Sequence, residues 1–519
     1  MAKYFGTDGI RGKIDGGACD VPLTKEFIER VANGFARFVN EKYHAEEIKQ
    51  CIKLFSTEEL CMKELVRQRD FVFRTGVILG QDTRESCKWI VKIFKQVFGR
   101  YGVEVVDIGV VPTAAVSYLS GLHGLYGIMI TASHNTAEWN GIKIFDVDGS
   151  KLAENDVAVL EKYIDGEVCG RQHVAPEIKK SNLCTAWKKP SWRLRERWVI
   201  YLYNRFKSLK KSGDKPQIIL DCANGSGAGI AGKVLTKLGF KCALINNEPD
   251  GININQDCGA ACPCAVLKML DNLHSGGEFE MGFSFDGDAD RLVMYLKNEF
   301  GSIGESYGNE KRWIKIHGDV LIAVIAGWLK GKKRLAQDVV VSTVLFNGGA
   351  EQFLAKDGVQ LVRTPVGDKH ILQSMKENGY CFGGEESGHL IMLESRGGNA
   401  VPFEQNAFKG GDGLVTMLTV LEIISELGFE EFVSKVRDVK IVPSIAKNIK
   451  ATSSQKDLIK TKEFGEFLER VCGGDEKMGQ NIRVVVRPSG TEDLLRIYVE
   501  GETKKICEDV VSQILEFLS

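Results

Sequence analysis

The chain has 519 residues, with 68 lysines and arginines against 69 aspartates and glutamates, for a formal net charge of −1. Such a length exceeds one hydrophobic core and corresponds to three or four domains at about 150 residues each, while the charge balance leaves no electrostatic footprint for nucleic acid or an acidic membrane. The longest apolar runs, Val320 to Leu329 and Leu414 to Ile424, fall short of the ~20 residues that cross a bilayer; the 14 cysteines, with no secretory-type apolar stretch at residues 1–6, read as reduced thiols of a soluble cytoplasmic protein without structural disulfides.

In chain order, His44 to Arg74 is helical in character, with apolar Ile48, Cys51, Ile52, Leu54, Phe55, Leu60, Cys61 and Leu65. It reads as an amphipathic insertion on the first domain, with an oligomer contact as the alternative. Val77 to Gly80 then runs into Gln81-Asp82-Thr83-Arg84, Gln217 to Leu220 into Asp221-Cys222-Ala223-Asn224-Gly225, and Val339 to Ser342 into Phe346-Asn347-Gly348-Gly349. Each is a short apolar strand followed by a turn of small residues and a helical pattern, the alternation that marks α/β domains with parallel strands. The C-terminal stretch differs: Asn481 to Val486 and Leu494 to Val499 predict two strands, with a closing helix from Lys504 to Leu518. The expected fold class is α/β, with three similar mixed-sheet domains plus a smaller C-terminal α+β domain around a central cleft. The charged, Trp-bearing Gln172 to Trp198 and the polar Asn298 to Trp313 act as joints. The domains therefore fall at 1–171 (with the insertion 44–74), 190–300, 312–440 and 443–519.

Four polar motifs punctuate these domains. The strand Gly127 to Ile130 ends at Thr131-Ala132-Ser133-His134-Asn135, placing Ser133 at a C-terminal strand edge, where α/β proteins gather ligands; a Ser-His pair alone also fits a turn cap. Asn140-Gly141-Ile142-Lys143 returns a lysine toward the same face, as a cation or, if desolvated, a general acid/base, or simply as a surface lysine. The strand Met281 to Phe285 runs into Asp286-Gly287-Asp288-Ala289-Asp290-Arg291, whose three alternating carboxylates can converge on one hard cation. An EF-hand is excluded, because its sixth position is Arg291 and its twelfth is Lys297. A haloacid-dehalogenase-type phosphatase with Asp286 as nucleophile remains a rival. Gly384-Glu385-Glu386-Ser387-Gly388-His389 offers acceptors and donors to sugar hydroxyls, and Arg487-Pro488-Ser489-Gly490-Thr491 offers an anion nest unless it is an ordinary hairpin turn. Cys258, Cys262 and Cys264 with His274 lack the paired knuckles of a zinc site.

Together with Phe5-Gly6-Thr7-Asp8-Gly9-Ile10-Arg11-Gly12, Asp221 to Gly225 and Gly251 to Asn255, these motifs are collinear with, and resemble, the α-D-phosphohexomutase superfamily. The octapeptide, Val366-Gly367-Asp368 and Ser387-Gly388-His389 are most similar to the phosphoglucosamine mutases within it. The resemblance implies four domains around a cleft and an isomerase that interconverts hexosamine 6-phosphate and 1-phosphate, with glucosamine favoured over glucose, mannose or N-acetylglucosamine. It implies Ser133 as the phosphoserine, passing through a hexose 1,6-bisphosphate that also serves as activator. One Mg²⁺ would be held by Asp286, Asp288 and Asp290 with a Ser133 phosphoryl oxygen. Arg11, His134, Lys143 and Arg291 would surround the transferring group. Glu385, Ser387 and Lys369 would bind the sugar end, and Arg487, Ser489, Gly490, Thr491 and Arg496 the non-reacting phosphate. The expected partner is a small phosphosugar, with no nucleic acid or membrane, on a monomer or homodimer. Thr136 replaces a usual proline after Asn135, Glu386 a common glutamine and Asp493 a frequent proline. A metal-dependent phosphatase and a catalytically silent sugar-phosphate-binding protein stand as alternatives in other classes.

Overall fold

The structure, a computed structural model, describes residues 3–6, 8–15, 21–55, 76–166, 192–211, 213, 215–272, 279–298, 312–396, 399–401, 408–473, 482–489 and 493–519, the side chains of 44–55, 192 and 396 excepted. Of the expected features, Thr7, residues 56–74, 172–191 and 299–311, His274, Asn481, Gly490 and Thr491 lie outside this set. The chain forms two compact units, one of residues 1–297, 306–315 and 404–425, the other of 298–305, 316–403 and 426–519.

The first unit holds two mixed sheets. In the first sheet the strand order is Phe5–Gly6, Gly9–Lys13, Trp139–Phe145, Tyr126–Ile130, Gly76–Gln81, Glu104–Val110, with the last three parallel and the others antiparallel. Side chains alternate across its pleat. Val77, Leu79, Ile128 and Ile130 enter a core with Phe35, Phe38, Phe94 and Phe98 of the helices Lys25–Phe55 and Cys87–Arg100. The opposite face meets the helix Thr113–His123, whose Val116 lies where a side chain on Gly80 or Gly127 would project. With both faces covered, every residue of Tyr126–Ile130 is buried, the pattern of a continuous apolar strand. The expected insertion does not begin a new element at His44. Lys25–Phe55 is one continuous helix because no proline interrupts it, and its Gly34 packs closely on Ile164.

The second sheet has the order Trp313–Ile316, Leu292–Lys297, Met281–Phe285, Ile218–Asp221, Cys242–Ile245, with the last three parallel. Trp313–Ile316 thus completes the sheet of the second domain, although the third domain was expected from residue 312. Buried Trp313 belongs to that sheet's core with Ile219, Val293 and Tyr295.

The second unit contains a four-stranded sheet, Gln360–Thr364, Val339–Thr343, Phe382–Gly384, Leu390–Met392, parallel except for the final hairpin. It also contains an antiparallel sheet of Ser444–Lys450, Leu494–Glu500 and Arg483–Pro488, with Leu494–Glu500 central. Leu495, Ile497 and Val499 of that strand pack on Cys507, Val510 and Ile514 of the helix Lys504–Phe517, giving this small domain its own core. The nine cysteines whose side chains are described are free thiols, and among the described residues no helix is long and apolar enough to cross a membrane.

Candidate active site

In the first unit, the loops leaving Tyr126–Ile130 and Met281–Phe285 converge. Ser133 is buried and sits at φ 51°, the left-handed region that non-glycine residues seldom occupy. The conformation is fixed from several directions. The Ser133 amide donates to Thr131 Oγ1 at 2.9 Å, and its carbonyl accepts from Asn255 Nδ2 at 2.8 Å and from the Arg84 guanidinium at 3.2 Å. Arg84 is fully buried, paired to Asp82 at 2.9 Å, and also donates to the carbonyls of Asn135, Thr136 and Trp139. Thr136 thus contributes its carbonyl to the guanidinium, which braces the loop where proline's fixed φ is missing. Gly287 approaches so closely that a Cβ there would lie 2.6 Å from the Ser133 carbonyl oxygen, so the carboxylate loop needs glycine at this point.

The Ser133 hydroxyl donates to Asp286 Oδ2 at 2.7 Å. Asp286, Asp288 and Asp290 are all buried, and one carboxylate oxygen from each lies within 4.8 Å of the others. Burial, then repulsion from Asp290 and Asp288, holds the Asp286 carboxyl well above the usual carboxylate range; burial and Asp290 likewise raise Asp288. Asp288 Oδ1 is buried without a hydrogen-bond partner. An all-oxygen donor set with mutual repulsion and an unfilled buried oxygen fits a hard divalent cation.

Lys143, on the strand Trp139–Phe145, donates to Asp288 and Asp290 at 2.8 Å each and pairs with Asp8 at 2.8 Å. Burial opposes its charge, but the carboxylates outweigh that cost and keep the ammonium well above its ordinary pKa. This is the opposite of the lowered pKa a desolvated acid/base lysine would need, because three anions surround it. Arg291 lies 3.8 Å from Asp286 and 3.9 Å from Asp290. Arg11 donates to Asn135 Oδ1 at 3.0 Å and contacts Asp8 at 3.4 Å. His134, buried first of all and then facing Arg291 and Arg11, is pushed down to about 3 and stays neutral. Arg11, His134, Lys143 and Arg291 therefore gather beside Ser133 and the aspartate triad.

Asp8, Arg84 and Asn255 stand within the motifs without an assigned role, and Thr113 and Asp412 stand outside them. Thr113 donates its hydroxyl to Asp288 Oδ2 and its amide to the Asp288 carbonyl. Asp412 caps the helix Gly413–Leu427 by accepting from Leu414 and Val415, and the Gly413 amide holds the Ala289 carbonyl at 3.0 Å. The signal for Arg84 was present in the turn Asp82-Thr83-Arg84, where a buried pair can form within three residues; nothing local marks Thr113 or Asp412.

In the second unit, Glu385 Oε1 accepts from the Gly367 amide at 3.0 Å, joining the 384–389 loop to the turn before Asp368 and Lys369. Ser387 Oγ is buried without a partner, and His389 Nε2 lies 3.3 Å from Asp368. Arg487 is on the strand Arg483–Pro488, beyond the expected strand end at Val486, and stands in register directly opposite Arg496. Arg496 in turn reaches Ser489 Oγ at 3.4 Å. Burial, then the Arg496 charge, lowers the Arg487 pKa, with Glu385 opposing. Like charges directly opposed on a sheet are destabilising, and an anion is what relieves them.

Fold and site define an α/β enzyme of phosphoryl chemistry. The phosphoglucomutase/phosphomannomutase family matches in all its parts: α/β/α domain I over residues 61–168, domain II over 196–301, domain III over 317–438 and the C-terminal domain over 435–517. Curated relatives include the phosphoglucosamine mutase of Beijerinckia indica subsp. indica, 33% identical across all of this chain and 98% of its own, and that of Brucella anthropi, 32% identical over 100% and 98%. The chain belongs to the α-D-phosphohexomutase superfamily and is a mutase, which sets aside the phosphatase and the silent binding protein. A phosphoglucomutase/phosphomannomutase family protein from Burkholderia thailandensis shares the fold with TM-score 0.69 at 18% identity, over 100% of this chain and 98% of that one. The N-acetylphosphoglucosamine mutase of Aspergillus fumigatus, solved with GlcNAc-6P and magnesium, does so with TM-score 0.56 at 20% identity, over 78% and 92%.

Proposed function

We propose that this phosphohexomutase interconverts glucosamine 6-phosphate and glucosamine 1-phosphate through a phosphoserine at Ser133 and a hexose 1,6-bisphosphate intermediate. The observation that carries the reading is the Ser133 hydroxyl, held at a left-handed φ 2.7 Å from a buried aspartate triad. Phosphoryl transfer is mostly positioning and charge stabilisation, and both are provided: the Arg84 and Asn255 donors fix the Ser133 backbone, and Lys143, Arg291 and Arg11 supply cations around it.

Asp286, Asp288 and Asp290 with a phosphoserine oxygen would hold Mg²⁺, which when bound offsets the charge of about −1.5 to −2 that the phosphoryl group adds. His134, kept neutral by burial and by Arg291 and Arg11, would serve as a hydrogen-bonding group rather than a cation, with its buried Nδ1 open to a ligand. In the second unit, Glu385 and Ser387 would read sugar hydroxyls, with Lys369 at the same end, while Arg487, Arg496 and Ser489, with Gly490 and Thr491, would grip the phosphate that does not react. The bisphosphate would act as activator by restoring the phosphoserine when it is lost. Glucosamine is favoured by the names of the full-length relatives.

The test is a panel of glucosamine, N-acetylglucosamine, glucose and mannose 1-phosphates with purified protein, Mg²⁺ and a catalytic amount of bisphosphate. The glucosamine compound should give the highest kcat/KM. A higher value for another hexose would reassign the substrate, and no interconversion of any would remove the proposal.

A further inference from the structure

A second group of metal-type ligands lies in the second unit, apart from the carboxylate triad. His317, Asp319 and Glu386 each bring one donor atom within 4.8 Å of the others. His317 caps the helix Gly318–Gly331, its Nδ1 accepting from the Asp319 amide at 3.3 Å and lying 3.6 Å from Asp319 Oδ2. Glu386 belongs to the loop between Phe382–Gly384 and Leu390–Met392. The two segments are tightly apposed, since a Cβ on Gly318 would sit 2.1 Å from the Glu386 carbonyl oxygen.

Asp319 supplies an independent sign of a ligand. It is fully buried, and its Oδ2 is satisfied by the Asn347 amide at 2.8 Å, whereas its Oδ1 has no hydrogen-bond partner. A buried carboxylate oxygen in that condition is costly, and burial followed by the neighbouring Glu386 charge holds its carboxyl well above the usual range. Either a proton or a cation must answer that charge.

We propose that His317, Asp319 and Glu386 form a binding site for a borderline divalent cation such as Zn²⁺, chemically distinct from the all-oxygen aspartate triad. An imidazole nitrogen with two carboxylates is a donor set for zinc rather than magnesium. Zinc bonds of about 2.0–2.2 Å place neighbouring tetrahedral donors roughly 3.3–3.6 Å apart. The one lone pair of His317 Nδ1 is held by the Asp319 amide at 3.3 Å, so a cation would displace that long hydrogen bond, and the three donors, which lie within 4.8 Å of one another, would close by on the order of 1 Å. A cation there ties the start of Gly318–Gly331 to the loop that carries Glu385 and Ser387, so its occupancy bears on the order of that loop. The site does not depend on which hexose is turned over.

The experiment is isothermal titration of chelator-treated, full-length protein with Zn²⁺ in excess Mg²⁺, paired with Co²⁺ absorption as a report of tetrahedral nitrogen and oxygen ligation. One equivalent should bind, should persist in Asp286→Asn, and should weaken at least tenfold in His317→Ala and in Glu386→Gln, with the tetrahedral Co²⁺ bands lost. His317 caps a helix, so circular dichroism verifies its variant; if that variant does not fold, Glu386→Gln alone decides. Absence of Zn²⁺ binding in the wild type, or binding unaltered in a folded variant, overturns the proposal.

Discussion

Replacing Lys143 by methionine removes an ammonium that is hydrogen-bonded to Asp288 and Asp290 and paired with Asp8, each at 2.8 Å. Methionine keeps the length and apolar stem of the side chain but takes the positive charge away from buried Asp288 and Asp290. Breaking a buried ionic network from one side costs about 3–5 kcal/mol, and in a unit of this size each kcal/mol lowers the midpoint by about 1–2 °C. Differential scanning calorimetry without divalent ions should therefore show the first unit melting roughly 5 °C lower in Lys143→Met. Two further measurements separate electrostatics from packing. Saturating Mg²⁺ should recover a large part of the loss, because a cation on the triad replaces the missing charge. Adding Asp290→Asn to Lys143→Met should also recover part of it, by removing one of the anions that Lys143 pairs. A midpoint unchanged within about 1 °C, or a loss that neither Mg²⁺ nor the second substitution reduces, would refute the account of this network.

His134 is pushed down to about 3 by burial and by Arg291 and Arg11, so its ring resonances should stay those of neutral imidazole from pH 8 to pH 5; a titration near pH 6.5 would show that it is solvated. Asp412 is raised by burial to about 7 from 3.8, so the folded state holds a proton there that the unfolded chain releases at lower pH. Its contribution to stability is therefore full below pH 3.8 and is lost as the pH rises to about 7. Asp412→Asn, which can still cap the helix, should flatten the pH dependence of the melting temperature across that window; an unchanged slope would contradict the assignment. Arg487→Lys loses bidentate geometry while keeping charge and should raise KM about tenfold with little change in kcat. An equal fall in kcat at unchanged KM would mean that the residue acts in the transition state instead.

Much of this architecture was readable in the residues. Tyr126–Ile130, Met281–Phe285 and Val339–Thr343 are buried on both faces and therefore appear as short apolar runs, and the motifs following the first two are the loops that meet at Ser133. Less was legible where tertiary packing decides. The central strand Ser444–Lys450 to Leu494–Glu500 pairing was missed because Ser444–Lys450 is largely exposed and polar, without an apolar alternation to announce it. Composition groups Trp313–Ile316 with the third domain because a polar stretch precedes it, yet its strand partner, Leu292–Lys297, lies earlier in the chain. The direction of the Lys143 shift was equally hidden: it depends on Asp8, Asp288 and Asp290, which are remote in sequence and come together only in the fold.

The central claim is that phosphorus travels by way of Ser133 Oγ. Incubating the Mg²⁺-loaded protein with hexose 1,6-bisphosphate carrying labelled phosphorus, followed by peptide mapping during steady-state turnover, tests it most directly. Label should accumulate on the peptide containing Ser133, chase into product when unlabelled glucosamine 6-phosphate is added, and be absent from Ser133→Ala. Conversion that proceeds at the wild-type rate without label ever reaching Ser133, or that survives in Ser133→Ala, would contradict the account.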